Sequence, residues 1–223
     1  GQKMMVENTG KTKSKKKPAK AVPADPLDQV LDAMLKLAEQ LGWRDLTLRD
    51  IADEAGLSLA QLQRLVPGKS ALLSHFVRRV DQVVLDNDTT ADPDEPVKDR
   101  LFDVAMQRFD ALQPWRGAIK AIARDLPYDP VAAICLGARR RQSMIWMLEK
   151  AGVSSSGLKG RLRAAGLDVI IIATMRVWLK DESKDMSATM SALDRHLSRT
   201  DRLVSSLQGQ RSFRQEDQQT AAG

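Results

Sequence analysis

Side chains suited to holding a polyanion lie close together between residues 47 and 69. The stretch GLSLAQLQRLVPGKSALL, which begins at Gly56, carries two glutamines, one arginine and one lysine but no acid. Glutamine and arginine can hydrogen-bond the edges of adenine and guanine in the major groove of DNA, and a threonine or lysine at a helix start can hold a phosphate. The chemistry that this stretch favours is therefore recognition of a nucleic acid.

Residues for catalysis or metal binding are sparse and scattered. His75 and His196 each stand alone on a predicted helix, where a histidine is usually structural or solvent-facing. Cys135 lies in the apolar helical segment VAAICLGA and is interpreted as a small core residue. The acids at 181–185 are interpreted as a solvated turn. Because no GxSxG, HExxH or glycine-rich phosphate loop occurs, we predict a protein that is not an enzyme and needs no cofactor or metal.

The composition is that of an ordinary globular protein. The chain has 223 residues, 43% of them hydrophobic and 29% charged. A single cysteine rules out an intrachain disulfide and favours a reducing, cytoplasmic location. The most apolar segment, 167–179, is interrupted by Asp168 and Arg176 and is too short to span a bilayer, so we expect a buried helix and no membrane span.

The net charge of +6 is confined to the N-terminal tail. Residues 1–20 hold seven lysines and one glutamate, which leaves the rest of the chain neutral. A lysine-rich segment with few apolar residues cannot bury enough surface to fold, so we predict that residues 1–24 are disordered. This tail is either an arm that neutralises DNA phosphates or a solubilising extension, and the first few residues, before Met4 or Met5, have the character of a cloning remnant.

Helical periodicity runs through the rest of the chain, and no stretch alternates with the period of a strand. Helices are predicted near 25–41, 47–55, 58–66, 69–86, 96–112, 114–125, 129–151, 157–180 and 186–207. We therefore predict an all-α fold with a DNA-binding domain at 25–72, a helical ligand-binding and dimerisation domain at 73–207, and a flexible tail at 208–223.

Residues 43–73 have the plan of a helix-turn-helix, with a short helix, a turn at Gly56 and a second short helix that would enter the major groove. Apolar residues would hold the two helices together: Leu48, Ile51, Ala52, Ala55, Leu57 and Leu62. The outward face of the second helix would carry Ser58, Leu59, Gln61, Gln63 and Arg64. The spacing by itself leaves an ordinary solvated helical corner as the alternative.

Three ordered motifs, LDAMLKLAEQLGW, LTLRDIADEAGLS and GKSALLSHF, resemble the N-terminal domain of TetR-family transcriptional regulators. The resemblance implies a homodimer whose last two long helices form a four-helix bundle, a double-stranded DNA operator, and a C-terminal domain that binds a small effector. It also implies DNA contacts at Thr47, Arg49, Ser58, Leu59, Ala60, Gln61, Gln63, Arg64 and Lys69.

The second short helix of this plan, near 58–66, is the one that would read the DNA, and we call it the reading helix. It departs from the family pattern at several positions. Family members commonly carry Tyr, an aromatic residue or His, and Phe where this chain has Gln63, Leu65 and Val66. Ala60 stands where glycine is frequent, and Gly68 stands where serine is frequent. We expect altered phosphate contacts rather than a lost function, because Gln63 can still hydrogen-bond and the other two residues can still pack.

A shorter segment, MRVWLKDESKDMSATMSALDRHL at 175–197, is similar to the C-terminal part of a TetR-fold family of ubiquinone biosynthesis. That family binds isoprenoid lipid and is not a transcription factor. The similarity lies at Trp178, Asp181, Ser183, Asp185, Leu193, Asp194 and Arg195. A lipid-binding accessory protein without sequence-specific DNA binding is therefore the alternative to a regulator.

A ligand cavity is expected among methionine and aromatic side chains, and its effector would be apolar. The candidates are Phe102, Met106, Phe109, Trp115, Met144, Trp146, Met147, Met175 and Trp178. Plain core packing is the alternative interpretation for each of them. The three arginines in GARRRQS at 137–143 either hold an anionic ligand group or form a solvated helix face. The leading prediction is a ligand-responsive repressor that binds a palindromic operator as a homodimer.

Overall fold

The computed structural model describes residues 25–89 and 92–202. Within these ranges the backbone forms α-helices and two single turns of 3-10 helix, with no β-strand. The all-α prediction is therefore confirmed. The predicted tails at 1–24 and 208–223, and the last predicted helical turn at 203–207, lie outside the described residues.

Four helices make up the N-terminal part: α1 (Pro26–Leu41), α2 (Leu48–Glu54), α3 (Leu59–Leu65) and α4 (Lys69–Leu85). Four more follow, namely α5 (Val97–Leu112), α6 (Arg116–Asp125), α7 (Pro130–Lys150) and α8 (Gly157–Trp178). A ninth helix, α9, begins at residue 187 and continues to residue 202, where the described region ends. The helix boundaries agree with the predicted ones to within two residues at nearly every described end.

Helix α1 begins and ends where its sequence signals predict. The Asp25 carboxylate accepts a hydrogen bond from the backbone N–H of Leu27 at 3.0 Å, and Pro26 occupies the first helical turn. The helix ends at Gly42, whose φ of +85° favours glycine. Its buried stripe packs against α2, α3, α4 and α6, so α1 supports the helix-turn-helix from behind.

Helix α4 belongs to both parts of the molecule. It begins directly after α3, and it packs against α1 as well as against α5 and α7. Helices α4 and α7 run in the same direction, because Arg139 pairs with Asp81 while Lys150, further along α7, donates to the carbonyl of Leu85 at 3.3 Å. A shift of α7 would therefore act on α4 along its length.

One continuous apolar core connects the helices of the described residues, from α1 to α9. It is mainly aliphatic, with Trp43, Phe109 and Trp178 as its fully buried aromatic residues. Within the described ranges, no helix is long and apolar enough to cross a membrane.

The structure corrects the interpretation of Cys135 as a core residue. Its side chain is exposed, as are those of Val131 and Ile134 in the same part of α7. The core of α7 is instead supplied by a different stripe that includes Ala132, Met144 and Met147. The error arose because apolar residues surround the helix in this segment, so periodicity alone could not identify the buried face.

The acidic segment at 181–185 is not a fully solvated turn, because Asp181 is buried. Its carboxylate accepts hydrogen bonds from the backbone N–H of Thr189 at 2.8 Å and of Ser183 at 3.1 Å, and also from both hydroxyl groups. Burial raises the pKa of Asp181, but these hydrogen bonds outweigh it and hold the pKa well below its usual range. Asp181 therefore fixes the connection from α8 to α9.

The arginines at 137–143 also depart from a solvated face. Arg140 forms two hydrogen bonds with the buried Asp168 of α8, at 2.5 and 3.2 Å. Arg139 pairs with the buried Asp81 of α4 at 3.1 Å. Arg141 alone of the three is exposed. Two of the three guanidinium groups thus join α7 to its neighbours.

Candidate nucleic-acid interface

The corner between α2 and α3 is held by a defined turn. Gly56 has φ +68°, in the left-handed region, and its N–H donates to the carbonyl of Asp53 at 3.1 Å. The next N–H, of Leu57, reaches back to the carbonyl of Ala52 at 2.8 Å. This pair of bonds is the Schellman arrangement, which ends a helix and turns the chain sharply. The turn directs α3 away from α2.

Helix α2 starts with a reciprocal cap between Thr47 and Asp50. The backbone N–H of Asp50 donates to the Thr47 hydroxyl at 3.2 Å, and the backbone N–H of Thr47 donates to the Asp50 carboxylate at 2.9 Å. The Thr47 hydroxyl also donates to that carboxylate at 2.6 Å. Thr47 can therefore give its hydroxyl proton to a phosphate only by releasing Asp50.

Helix α3 has the same kind of cap with neutral partners. The backbone N–H of Gln61 donates to the Ser58 hydroxyl at 3.2 Å, and the backbone N–H of Ser58 donates to the side-chain carbonyl of Gln61 at 2.8 Å. The hydroxyl proton of Ser58 and the amide N–H₂ of Gln61 have no partner assigned by this cap. Both groups can donate to a phosphate or to a base edge.

The outward face of α3 is formed by Leu59, Ala60, Gln63 and Arg64, all of which are exposed. The inward face is formed by Leu62, which is almost fully buried against α1 and α2. No acidic side chain forms an ion pair with Arg64 within the described part of the chain. Arg64 therefore keeps its guanidinium for an external acceptor, as a reader of guanine requires.

At the end of α3, aliphatic residues pack where members of the TetR family commonly carry aromatic ones. Val66 is buried and Leu65 is half-buried, so both take part in holding α3 to the core. Gln63 stays exposed on the outward face. Leu65 and Val66 thus anchor the end of α3 to the core, while Gln63 presents an amide to solvent.

Lys69, the predicted phosphate-binding residue, already has partners inside the protein. Its ammonium donates to the carbonyls of Trp43 at 2.6 Å and Leu46 at 2.9 Å, and it lies 4.5 Å from the centre of the Trp43 ring. Burial lowers the pKa of Lys69 from its usual value. Lys69 thus ties the α1–α2 loop to the start of α4, a role that its sequence position did not reveal.

The same loop is held from the other side by the α6–α7 corner, through the contacts that we call the loop latch. The Asp125 carboxylate accepts hydrogen bonds from the backbone N–H groups of Trp43 at 2.8 Å and Arg44 at 3.3 Å. Asp129 accepts one from the indole N–H of Trp43 at 3.1 Å. The side chain of Arg124, followed by these N–H groups, lowers the pKa of Asp125 to about 2. The loop latch joins the helix-turn-helix to α6 and α7.

The residues predicted to line a ligand cavity are placed mainly in the core. Phe109, Met144, Met147 and Trp178 are fully or almost fully buried, and the Phe109 and Trp178 rings lie 5.9 Å apart. Four more of the predicted residues, Phe102, Met106, Trp115 and Met175, are half-buried and pack against the same cluster. A ligand among these side chains would have to displace them, so the pocket stays a prediction.

Trp146, which we also considered for that cavity, is about half exposed on α7. The indole N–H of Trp178 donates to the side chain of Gln113 at 2.8 Å, and Arg116 stacks on the Trp178 ring at 5.2 Å while donating to its carbonyl at 3.0 Å. Trp178 therefore acts as a structural joint between α8 and the α5–α6 connection.

Taken together, the α2–α3 corner, its two capped helices and the outward face of α3 define a helix-turn-helix of the DNA-binding type. Comparison with solved structures identifies the fold more closely. The chain is similar to a TetR transcriptional regulator from Nitrosomonas europaea, with 25% sequence identity and a TM-score of 0.62 over 78% of this chain and 97% of that chain. It is also similar in fold to a TetR transcriptional regulator from Rhodococcus sp. RHA1, with 19% identity and a TM-score of 0.58 over 78% of this chain and 93% of that one.

The fold is thus that of the TetR-family transcriptional regulators, and the resemblance first seen at residues 30–76 is confirmed at the level of the fold. No protein-family model matches the sequence, and no curated protein matches it significantly. Both of these solved structures are transcriptional regulators, in agreement with the prediction of a protein that is not an enzyme.

Proposed function

We propose that this protein is a TetR-type DNA-binding regulator, a repressor that reads a palindromic operator as a homodimer and releases it on binding a ligand. The observation that carries the proposal is the outward face of α3, which offers Arg64, Gln63 and the amide of Gln61 without an acidic side chain on the helix. Such a face suits the major groove, where arginine and glutamine have specific base partners. The DNA contacts assigned by resemblance to Thr47, Arg49, Ser58, Leu59, Ala60 and Lys69 are part of this proposal.

The homodimer is supported by an apolar face on α8. Leu158, Leu162 and Val169 are 84%, 74% and 65% exposed, and their spacing places them on one side of the helix. The half-buried Ala165 and Ile172 continue the same stripe. A row of exposed aliphatic residues on a long helix is typical of a surface that packs against another helix. A second copy of α8 provides the matching surface about a twofold axis.

The oligomeric state can be tested with Leu162→Glu, which places a charge in the middle of this face. Sedimentation equilibrium should show a dimer for the unchanged protein and a monomer for the variant, since a charge in an apolar interface has no partner there. Leu59→Glu, a matched change at an exposed leucine on α3, should leave the dimer intact. A dimer that persists in Leu162→Glu would place the interface elsewhere.

Recognition of an operator can be tested by genomic footprinting with the tagged protein, followed by binding to the recovered site as a duplex. Two half-sites should be related by a palindrome and separated by one helical turn of DNA or a multiple of it. Native mass spectrometry of the purified protein tests the lipid-binding alternative. A bound lipid on every preparation, together with no footprint, would favour that alternative over the regulator.

A further inference from the structure

Helices α4, α5 and α7 meet at a buried cluster of charged side chains. Asp81 of α4 is 2% exposed and Arg108 of α5 is 4% exposed, and their side chains pair at 2.7 Å. Arg139 of α7 pairs with the other oxygen of Asp81 at 3.1 Å, and the hydroxyl of Ser143 also donates to Asp81. One carboxylate therefore faces two guanidinium groups, and this cluster carries a surplus positive charge.

A surplus buried charge is costly unless another group compensates it. Arg139 uses one terminal nitrogen on Asp81 and the other on the side-chain carbonyl of Gln142 at 3.1 Å. Its Nε is buried and makes no hydrogen bond within the described residues. A guanidinium with an unused N–H and an uncompensated charge is a binding group for a carboxylate.

A surface cleft of about 450 Å³ lies beside this cluster in the sequence of both helices, between the first turns of α4 and Cys135 of α7. We call it the α4–α7 cleft. Its walls include Ala71, Ser74, His75 and Arg78 of α4, and Cys135 of α7. None of the described residues that line it is acidic, and its lysine and arginine are Lys69, at the start of α4, and Arg78, nine residues further along that helix.

The buried cluster lies about one helical turn beyond Arg78 on α4 and beyond Cys135 on α7. Asp81 follows Arg78 by three residues on α4, and Arg139 follows Cys135 by four residues on α7, so each pair shares a helix face. Burial lowers the pKa of His75 first, and the positive charges of Arg78 and Arg139 lower it further. The positive charge of Arg139 therefore acts on His75, which is a side chain of the cleft wall.

We propose that the α4–α7 cleft binds a small monocarboxylate, whose carboxylate is held between Arg78 and Arg139 and whose short apolar part lies against Ala71 and Cys135. The assignment of this ligand as the effector rests on the proposed regulator function. Arg139 also holds Asp81 of α4, so a second carboxylate at Arg139 competes with that pairing and changes how α7 holds α4. Since α4 begins directly after the reading helix, the competition reaches the DNA-binding corner.

The single cysteine of the chain makes the cleft directly measurable, because Cys135 lines it and is exposed. The rate of alkylation of Cys135 by iodoacetamide, followed by mass spectrometry, reports how often the cleft is empty. Benzoate should slow this rate in a saturable manner, by about tenfold at roughly ten times its Kd, because the unoccupied fraction falls in that proportion. Benzamide, which has the same shape without the charge, should not slow it at equal ionic strength.

Arg139→Gln and Arg78→Gln should each abolish protection by benzoate, while Arg141→Gln, an exposed arginine on the same helix as Arg139, should retain it. Arg78 is exposed, so Arg78→Gln tests the site even where Arg139→Gln unfolds the protein. The proposal is overturned if benzoate and acetate leave the alkylation rate unchanged, or if protection is the same in Arg78→Gln.

These measurements need no DNA, so their outcome does not depend on whether the protein is a regulator. Adding benzoate to the operator complex then tests the effector role. A shifted operator affinity in the unchanged protein, absent from Arg78→Gln, supports that role. Protection of Cys135 without any change in operator affinity would establish the binding site and overturn its role as the effector site.

Discussion

The α2–α3 corner and the interior junctions of α4 and α6 are stabilised in opposite ways. The corner depends on short-range hydrogen bonds: two capping boxes and a Schellman turn, each closed within six residues. The junctions depend on carboxylates that reach across the chain, such as Asp125 to Trp43 and Asp81 to Arg139. The hydrogen bonds of the corner are exposed and lie within one short segment. Those of the junctions are buried and join segments that are distant in sequence.

This difference indicates how the molecule divides its tasks. In the proposed regulator, the corner keeps a rigid shape while its outward side chains stay free for DNA, and local caps achieve this with few residues. The junctions join α6 and α7 to the α1–α2 loop and α4, and buried ionic contacts hold one arrangement strongly. Substitutions should therefore cost more at the junctions than at the corner.

The largest expected effect is that of Asp81→Asn. The change leaves the buried Arg108 and the partly buried Arg139 without a carboxylate, and the free energy of unfolding should fall by about 3–5 kcal/mol. Asp86→Asn, at the exposed end of the same helix, should change it by about 0.5 kcal/mol or less. Urea denaturation of both variants measures the difference. Similar losses in the two would contradict the importance that we give to the buried cluster.

Gly56→Ala should have the next largest effect. A side chain at φ +68° costs about 1–2 kcal/mol, because the left-handed conformation crowds the Cβ atom. Gly137→Ala serves as the contrast, since Gly137 lies inside α7 with open space around it and should gain about 0.5–1 kcal/mol in stability. Thermal unfolding of the two variants should therefore shift in opposite directions, and shifts in the same direction would exclude this explanation.

Ser58→Ala should reduce stability by about 1 kcal/mol, because the backbone N–H of Gln61 loses its capping partner. Ser58→Asp should restore most of that stability while weakening DNA binding, since it adds a negative charge to a surface that meets phosphates. The two losses are separated by measuring urea denaturation and operator binding on the same samples. A Ser58→Asp variant that binds DNA as well as the unchanged protein would remove Ser58 from the interface.

The loop latch provides the one effect on the pH dependence of stability, and that effect is confined to low pH. The pKa of Asp125 is held at about 2 in the folded protein, below its ordinary value of 3.8. A lowered folded pKa stabilises the protein above the ordinary value, and this contribution is lost as the pH falls from about 4 towards 2. The melting temperature of Asp125→Asn should therefore fall less steeply over that window. Parallel pH profiles for the two proteins would show that Asp125 contributes no such stabilisation.

The comparison of the two regions also explains which features were predictable from the sequence. The helix starts near Thr47 and Ser58 and the turn at Gly56 were predicted correctly, because the residue types that begin a helix or turn the chain act within one or two turns. The loop latch joins residues more than eighty positions apart, and nothing in the local pattern of Asp125 marks its partner. The exposed face of α7 was assigned incorrectly at Cys135 for a related reason, since burial is decided by which neighbours pack there.

Reading of an operator by α3 is tested most directly with Arg64→Ala in a fluorescence anisotropy titration. The titration compares the footprinted duplex with a scrambled duplex at one fixed salt concentration. Arg64→Ala should weaken binding to the operator by about 1–3 kcal/mol and leave binding to the scrambled duplex nearly unchanged, while Arg141→Ala should affect neither. Equal, salt-sensitive binding to both duplexes that disappears when residues 1–20 are deleted would contradict the account, because the lysine tail alone would then hold the DNA.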